Sequence, residues 1–200
     1  MLFPRSGFTY LMMNKPSGSV CSTVSDRSTT VFQLLGADVP TGLSAVGRLD
    51  KDTSGLLLLS DDGMFVHTLT IPESHITKTY RVWLSTPVAP AQQYEYTKMC
   101  SEGLTLPPCE KSPAFVTAPA KLEWLGVMPP ELGCSSCGTE CLLTISEGKF
   151  HQVKRMIEAL GNEVAVLERV AIGNLELDKK IGPGEYRSLS KTEINQLFTL

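Results

Sequence analysis

Asp50 stands between Arg48 and Lys51 in GRLDKDTSGLLLLSDDG, residues 47 to 63, directly ahead of four leucines. A carboxylate in such a place can serve as a nucleophile or as a general base. It can equally be a helix cap or a surface charge paired with Lys51, because exposed charge clusters are weakly coupled. The sequel favours chemistry: a charged loop that feeds an apolar strand sits where loops carry function. Two other segments hold residue types that complement a carboxylate. Tyr80 in KTYRV offers a ring face and a hydroxyl, and Lys154 in HQVKR offers an ammonium. Read singly, Tyr80 also fits an inward-facing strand residue, and Lys154 a solvated lysine in the first turn of a helix.

Other chemistries find no support in the sequence. There is no G-x-x-x-x-G-K-S/T phosphate loop and no G-x-G-x-x-G fingerprint, nor a G-x-S-x-G elbow. His67, His75 and His151 do not fall at paired metal spacing and read as polar surface or loop residues. CSSC with Cys134 and Cys137 is half a zinc site, and Cys141 adds a third thiol. The second half-site is missing, so free thiols in a loop are expected and no metal is assigned. Six cysteines in a reducing compartment are more often thiols than bridges.

The elements that must position these residues follow from period and punctuation. TYLMMNK reads as a buried strand ended by Pro16, and GLLLLS as a strand covered on both faces. A short helix over Val31, Phe32, Leu34 and Leu35 is expected to be capped by Ser28 or Thr29. Asp61 and Asp62 are expected to cap a helix through GMFVHTLT that stops at Pro72. KTYRVWL alternates with Tyr80, Val82 and Leu84 on one face. APAQQYEYTKMCSEG predicts a helix ending at Gly103, and GVMPPELGCSSCGTE a loop. After the strand CLLTIS, Val153, Met156, Ile157 and Leu160 keep the spacing of an amphipathic helix, with Lys154 and Arg155 off the stripe near its first turn. Strands mixed irregularly with helices predict an α+β fold.

The totals set bounds. Two hundred residues, 42% hydrophobic and 20% charged, suit one compact domain or two small lobes. No stretch approaches the roughly 20 apolar residues of a membrane span. The start lacks a secretory pattern, so a cytoplasmic or organelle-interior protein is expected. A formal charge of −3 argues weakly against nucleic acid. It is only an average, and EGKFHQVKR carries Lys149, Lys154 and Arg155 against Glu147.

These segments, in their order, resemble the RsuA-like family of pseudouridine synthases. NKPSGSVCST is similar to the family's first strand and loop, and GRLDKDTSGLLLLSDDG to its catalytic motif. KTYRV is similar to its tyrosine motif, EGKFHQVKRMIEALGNEV to its basic motif, and LERVAIGNLELD with PGEYRSLS to its C-terminal end. The resemblance runs from Tyr10 to Ile194. It implies a mixed, mostly antiparallel sheet with flanking helices and a central cleft. It implies Asp50 as the essential aspartate, Tyr80 as the residue stacked beneath the target base, and Lys154 as the cation paired with Asp50. Some relatives carry Arg at the position of Lys154, where an ammonium replaces the planar fork by a one-point pair. Arg48, Gln152 and Arg155 fall within matched motifs. Lys78, Arg81, Lys149 and Arg155 are the candidates for a phosphate-facing surface, with Arg48 and Lys51 at the mouth of the pocket.

The implied reaction breaks the N-glycosidic bond of a uridine, turns the uracil and rejoins it through carbon 5. Nothing is oxidised overall, so no cofactor is needed. A base in structured RNA must be flipped out, at a cost of a few kcal/mol. The expected substrate is ribosomal RNA, or a ribosomal subunit assembly intermediate, with EGKFHQVKRM and LERVAIGNLELD closer to the small-subunit branch. A large-subunit enzyme of the same family and a catalytically silent RNA-binding assembly factor are the alternatives, and a monomer is expected. Family members carry a small N-terminal RNA-binding domain. Here about nine residues precede YLMMNKP, so the layout expected is an N-terminal extension over 1–9 and a catalytic domain over 10–200. RNA docking is then expected to be weak or to lean on a partner.

Overall fold

A run such as GLLLLS makes a stable strand only where both of its faces are covered. The computed structural model, which describes residues 3–25, 27–36, 40–127 and 138–198, meets that condition. In chain order its elements are β1 (Tyr10–Lys15), α1 (Val31–Leu34), β2 (Ser44–Ala45), β3 (Ser54–Ser60), α2 (Gly63–Thr70), a 3-10 turn (Pro72–Ser74), β4 (Lys78–Leu84) and α3 (Pro90–Glu102). They continue with β5 (Thr105–Leu106), β6 (Phe115–Val116), β7 (Lys121–Val127), β8 (Thr139–Ile145), α4 (Gln152–Ala159), β9 (Val164–Ile172), β10 (Leu175–Glu176), β11 (Tyr186–Ser188) and α5 (Lys191–Gln196). The chain forms two compact units, Met1–Ile76 with Glu168–Leu200, and Thr77–Leu167.

In the first unit β1 runs antiparallel to β3, from Tyr10 opposite Ser60 to Lys15 opposite Gly55. β11 flanks β1 on its other side, with Leu11 opposite Ser188. β3 also pairs in parallel with the end of β9, Ser54 opposite Glu168 and Gly55 opposite Arg169. Leu56 to Leu59 are all fully buried, each contributing about 1.5–3 kcal/mol by removal from water. Leu56 and Leu58 join Met12, Phe65, Leu69, Ile172 and Ile194 in one core. Gly55 has φ +99°, and a Cβ there would lie 2.3 Å from the Arg169 carbonyl oxygen; the close approach of β9 admits glycine alone.

Caps and termini depart from the sequence reading in detail. Thr30, not Ser28 or Thr29, caps α1, in a box with Gln33. Asp62 caps α2, accepting from the Met64 and Phe65 amides at 3.0 and 3.2 Å. Asp61 instead accepts from the Thr9 amide at 2.7 Å. Within residues 1–9, expected as an extension, Phe3 is buried and contacts the rings of Phe65 and Phe198.

In the second unit β4, β8 and β7 form an antiparallel run, with Tyr80 opposite Leu143 and Leu143 opposite Leu122. β7 is a strand the sequence reading passed over. Its alternation is broken by an irregularity between Trp124 and Gly126, just ahead of the stretch read as a loop. α3 lies against β7, where the Trp124 indole donates to the Gln93 carbonyl and the Thr97 hydroxyl. It ends at Gly103, φ 92°. α4 buries Val153, Met156 and Ile157 as its spacing requires. Among the described residues the strand pairings are mostly antiparallel, β3 with β9 being parallel, and the fold is α+β.

Candidate active site

The carboxylate-bearing turn belongs to the first unit. Asp50 is half-buried, while Arg48 and Lys51 are exposed on either side of it. The turn closes when the Thr53 amide donates to the Asp50 carbonyl at 3.1 Å, after which the chain enters β3. The segment after β1 holds the same turn from below. The Gly18 amide donates to the Lys51 carbonyl at 2.7 Å, and the Ser17 hydroxyl to the Asp52 carbonyl at 3.3 Å. The Cys21 thiol donates to the Leu49 carbonyl and accepts from the Leu49 amide, at 3.5 and 3.4 Å.

The remaining candidates belong to the second unit. Tyr80 lies on β4, 9% exposed, between half-buried Thr79 and Arg81. Lys78 begins the same strand and is half-buried. The Arg81 Nε lies 2.7 Å from a Glu140 carboxylate oxygen, and its guanidinium 5.6 Å from the Trp83 ring. Lys154 is half-buried in the first turn of α4. That helix starts from His151 in the left-handed region, φ 48°, with no side-chain cap.

Two residues expected to face RNA are committed inside the protein. Gln152 is buried; its amide donates to Glu147 at 2.7 Å and its oxygen accepts from the Lys149 amide at 2.9 Å. Arg155 is 8% exposed, donates to the Pro107 carbonyl, and lies 5.0 Å over the Phe115 ring. Both bonds tie the start of α4 to neighbouring segments. Glu147 is the hub that sequence reasoning missed. It also accepts from the Ala118 amide at 2.9 Å and pairs with the exposed Lys149 at 3.0 Å, whose ammonium sits 3.9 Å over Phe115. The second missed residue is Lys15, a lysine at the end of a run that otherwise reads as a buried strand.

Among the described residues no group of three His, Cys, Asp or Glu could hold a metal ion. Cys134 and Cys137 lie outside the described residues. Cys141 is buried in β8, where burial pushes its thiol up to about 12; a zinc ligand must be a thiolate. No helix of the described residues is long and apolar enough to cross a membrane.

With this geometry in place, similarity to other proteins can be set beside it. Residues 9–159 match the family described as RNA pseudouridylate synthase. The chain belongs to that family, whose members are isomerases that convert uridine in RNA to pseudouridine. It is 42% identical over 192 residues to the "Ribosomal small subunit pseudouridine synthase A" of Vibrio cholerae, covering 96% of this chain and 75% of that protein. The protein of the same name from Haemophilus influenzae is 44% identical over 188 residues, covering 94% and 73%. A crystal structure titled as a pseudouridylate synthase matches with TM-score 0.81 and 41% identity, over 98% of this chain and 76% of that one. A human "RNA Pseudouridylate Synthase Domain Containing 1" structure, 18% identical with TM-score 0.58 over 86% and 76%, shares the fold.

Proposed function

We propose that this chain isomerises a uridine to pseudouridine in small-subunit ribosomal RNA, with Asp50 as the catalytic carboxylate. The observation that carries the substrate is the 42% and 44% identity, over nearly the whole chain, to enzymes named for that RNA. The assignment of Asp50 rests on its motif and on a backbone tied down on both sides of a half-buried carboxylate. Asp50 acts at the ribose of an extruded nucleoside, as nucleophile or as base, while the N-glycosidic bond breaks. The uracil turns and its carbon 5 joins the sugar; the proton on carbon 5 then leaves. Tyr80 gives the base a ring face and its hydroxyl takes or relays that proton. Lys154 is proposed as the cation the reaction uses.

Arg48 and Lys51, exposed beside Asp50, and Lys78, Arg81 and Lys149 are proposed to meet phosphates. Gln152 and Arg155 are left out because both side chains are buried. The enzyme works as a monomer in the cytoplasm or an organelle interior, on ribosomal RNA or an assembling small subunit.

The test is to map pseudouridines in ribosomal RNA incubated with purified protein, parent and Asp50→Asn. The parent is expected to introduce one in small-subunit RNA. Asp50→Asn is expected to fold, bind the RNA and introduce none. A pseudouridine in large-subunit RNA alone would overturn the substrate, and an active Asp50→Asn the assignment of the carboxylate.

A further inference from the structure

His151 opens α4 from the left-handed region, with φ 48° and ψ 32°. A residue at that position usually has extended backbone and a side-chain oxygen that caps the helix. His151 has neither, and its side chain makes no cap bond. Among the described residues the other non-glycine residue with positive φ is His75, at 49°. There the conformation ends the turn Pro72–Ser74, as a glycine would. At the start of a helix no such closure is needed, and a large side chain in this region costs backbone free energy. Strain of this kind is concentrated at sites that use it.

Its visible result is a pair of stacked rings. Side chains of adjacent residues diverge along a strand or a helix. The left-handed step instead lays the His151 imidazole on the Phe150 ring, with centroids 3.8 Å apart and planes 17° from parallel. Phe150 is half-buried and His151 exposed, so the stack has an inner and an outer member. The Lys111 ammonium, from the turn between β5 and β6, lies 5.6 Å from the centre of the Phe150 ring. Lys149, one residue before Phe150, sits 3.9 Å over the Phe115 ring of β6 and keeps 43% of its side chain exposed. Rings accompanied by exposed cations are what surfaces for single-stranded nucleic acid share, the rings for bases and the cations for the backbone. A stack that served only the fold would bury its outer ring.

We propose that His151 is a base-stacking residue, whose imidazole, backed by Phe150, takes an unpaired nucleobase next to the uridine that is isomerised. This deepens the proposed function and rests on it. When the target uridine is flipped out, the nucleotide beside it loses a stacking neighbour, and aromatic side chains offer such bases a new face. His151 stands three residues ahead of Lys154, at the head of the same helix, so the platform belongs to the element that carries the proposed cation. His151 touches the flanking base and no reacting atom. Its loss therefore shows in RNA affinity rather than in the rate at saturation.

The test compares the full chain, parent and His151→Asn, on a ribosomal RNA fragment that the parent modifies. The nucleotide on each side of the target uridine is replaced in turn by an abasic one. Asparagine accepts the left-handed backbone and has no ring. His151→Asn is expected to raise the RNA Kd by about 10-fold, the scale of one base stacked on an aromatic ring. The slope of log K against log salt and the saturating single-turnover rate stay at the parental values. One of the two abasic RNAs weakens the parent by the same factor and abolishes the difference between parent and variant. A His151→Asn that binds the intact fragment as tightly as the parent overturns the proposal, as does a loss that persists on both abasic RNAs. A slope reduced by about 0.7 would make the residue a phosphate contact and overturn it too. If the parent modifies no ribosomal RNA, the proposed function has failed and the proposal falls with it, a result separable from a failure of His151 alone. Should His151→Asn not fold, His151→Gly, which takes positive φ without strain, carries the same comparison. If neither folds, the ring serves the fold and the proposal is overturned.

Discussion

Tyr80 is proposed to do two jobs that a single atom separates. Its ring, held on β4 with Val82 and Leu84 on the same face, is largely enclosed, and an enclosed aromatic face suits a base taken out of its stack. Its hydroxyl is a second tool, able to take the proton from carbon 5. Tyr80→Phe keeps the first and removes the second. Proton transfer by a placed side chain typically contributes 10²–10⁴-fold, so Tyr80→Phe is expected to lower the single-turnover rate by about 100-fold or more with RNA affinity unchanged. Tyr80→Leu removes the ring as well, and base–aromatic stacking of about 1–3 kcal/mol is expected to leave the binding constant too. Gel-shift titration and quench-flow on the two variants check both. Equal rates for Tyr80→Phe and the parent would restrict this residue to stacking.

Asp62 shows how one side chain can hold an element, a terminus and a core together. It caps α2, accepts from the Tyr10 hydroxyl at 2.6 Å, and receives the Arg5 guanidinium on both oxygens. The Arg5 hydrogen bonds, more than any other cause, hold its carboxyl well below the usual carboxylate range, with Tyr10 and the Phe65 amide helping and burial opposing. A depressed folded value means that the stabilisation is fully present above the unfolded value of about 3.9 and is lost as pH falls toward the folded one. Asp62→Asn keeps the cap but not the ion pair. It is expected to lower Tm at neutral pH and to flatten the decline of Tm below about pH 4; thermal melts from pH 7 to pH 3 test it. None of this reach is visible locally, since Arg5 lies 57 residues away. The apolar runs were legible because length and period decide a strand or a helix: β3, α3 and the Val153–Leu160 stripe stand where expected. The motifs that carry Asp50, Tyr80 and Lys154 are local, so they could be read along the chain. The burial of Arg155 could not be read locally, because it comes from the Pro107 carbonyl and the Phe115 ring of a distant segment. The buried fate of Lys15 is likewise set by carbonyls of the 51–53 turn.

An RNA enzyme with a formal charge of −3 cannot draw its substrate in by its average field, so affinity must come from a few placed cations. The candidates are Arg48, Lys51, Lys78, Arg81 and Lys149, and two of them already face carboxylates, Arg81 with Glu140 and Lys149 with Glu147. Each phosphate met on a single strand contributes about −0.7 to the slope of log K against log salt. Three to five contacts then predict a slope between about −2 and −3.5, shallow for a protein that binds nucleic acid. Lys51→Ala removes an exposed cation beside Asp50 and is expected to weaken all RNA sequences alike and to reduce the slope by about 0.7. Lys149→Ala also removes the charge that faces Glu147, which then meets the RNA uncompensated, so its loss of affinity is expected to exceed that of Lys51→Ala at low salt and to converge with it as salt screens the carboxylate. Fluorescence anisotropy with a labelled ribosomal RNA fragment across a salt series measures both. A parental slope near zero would remove phosphates as the anchor, and a slope unchanged by either variant would place the anchoring cations elsewhere on the chain.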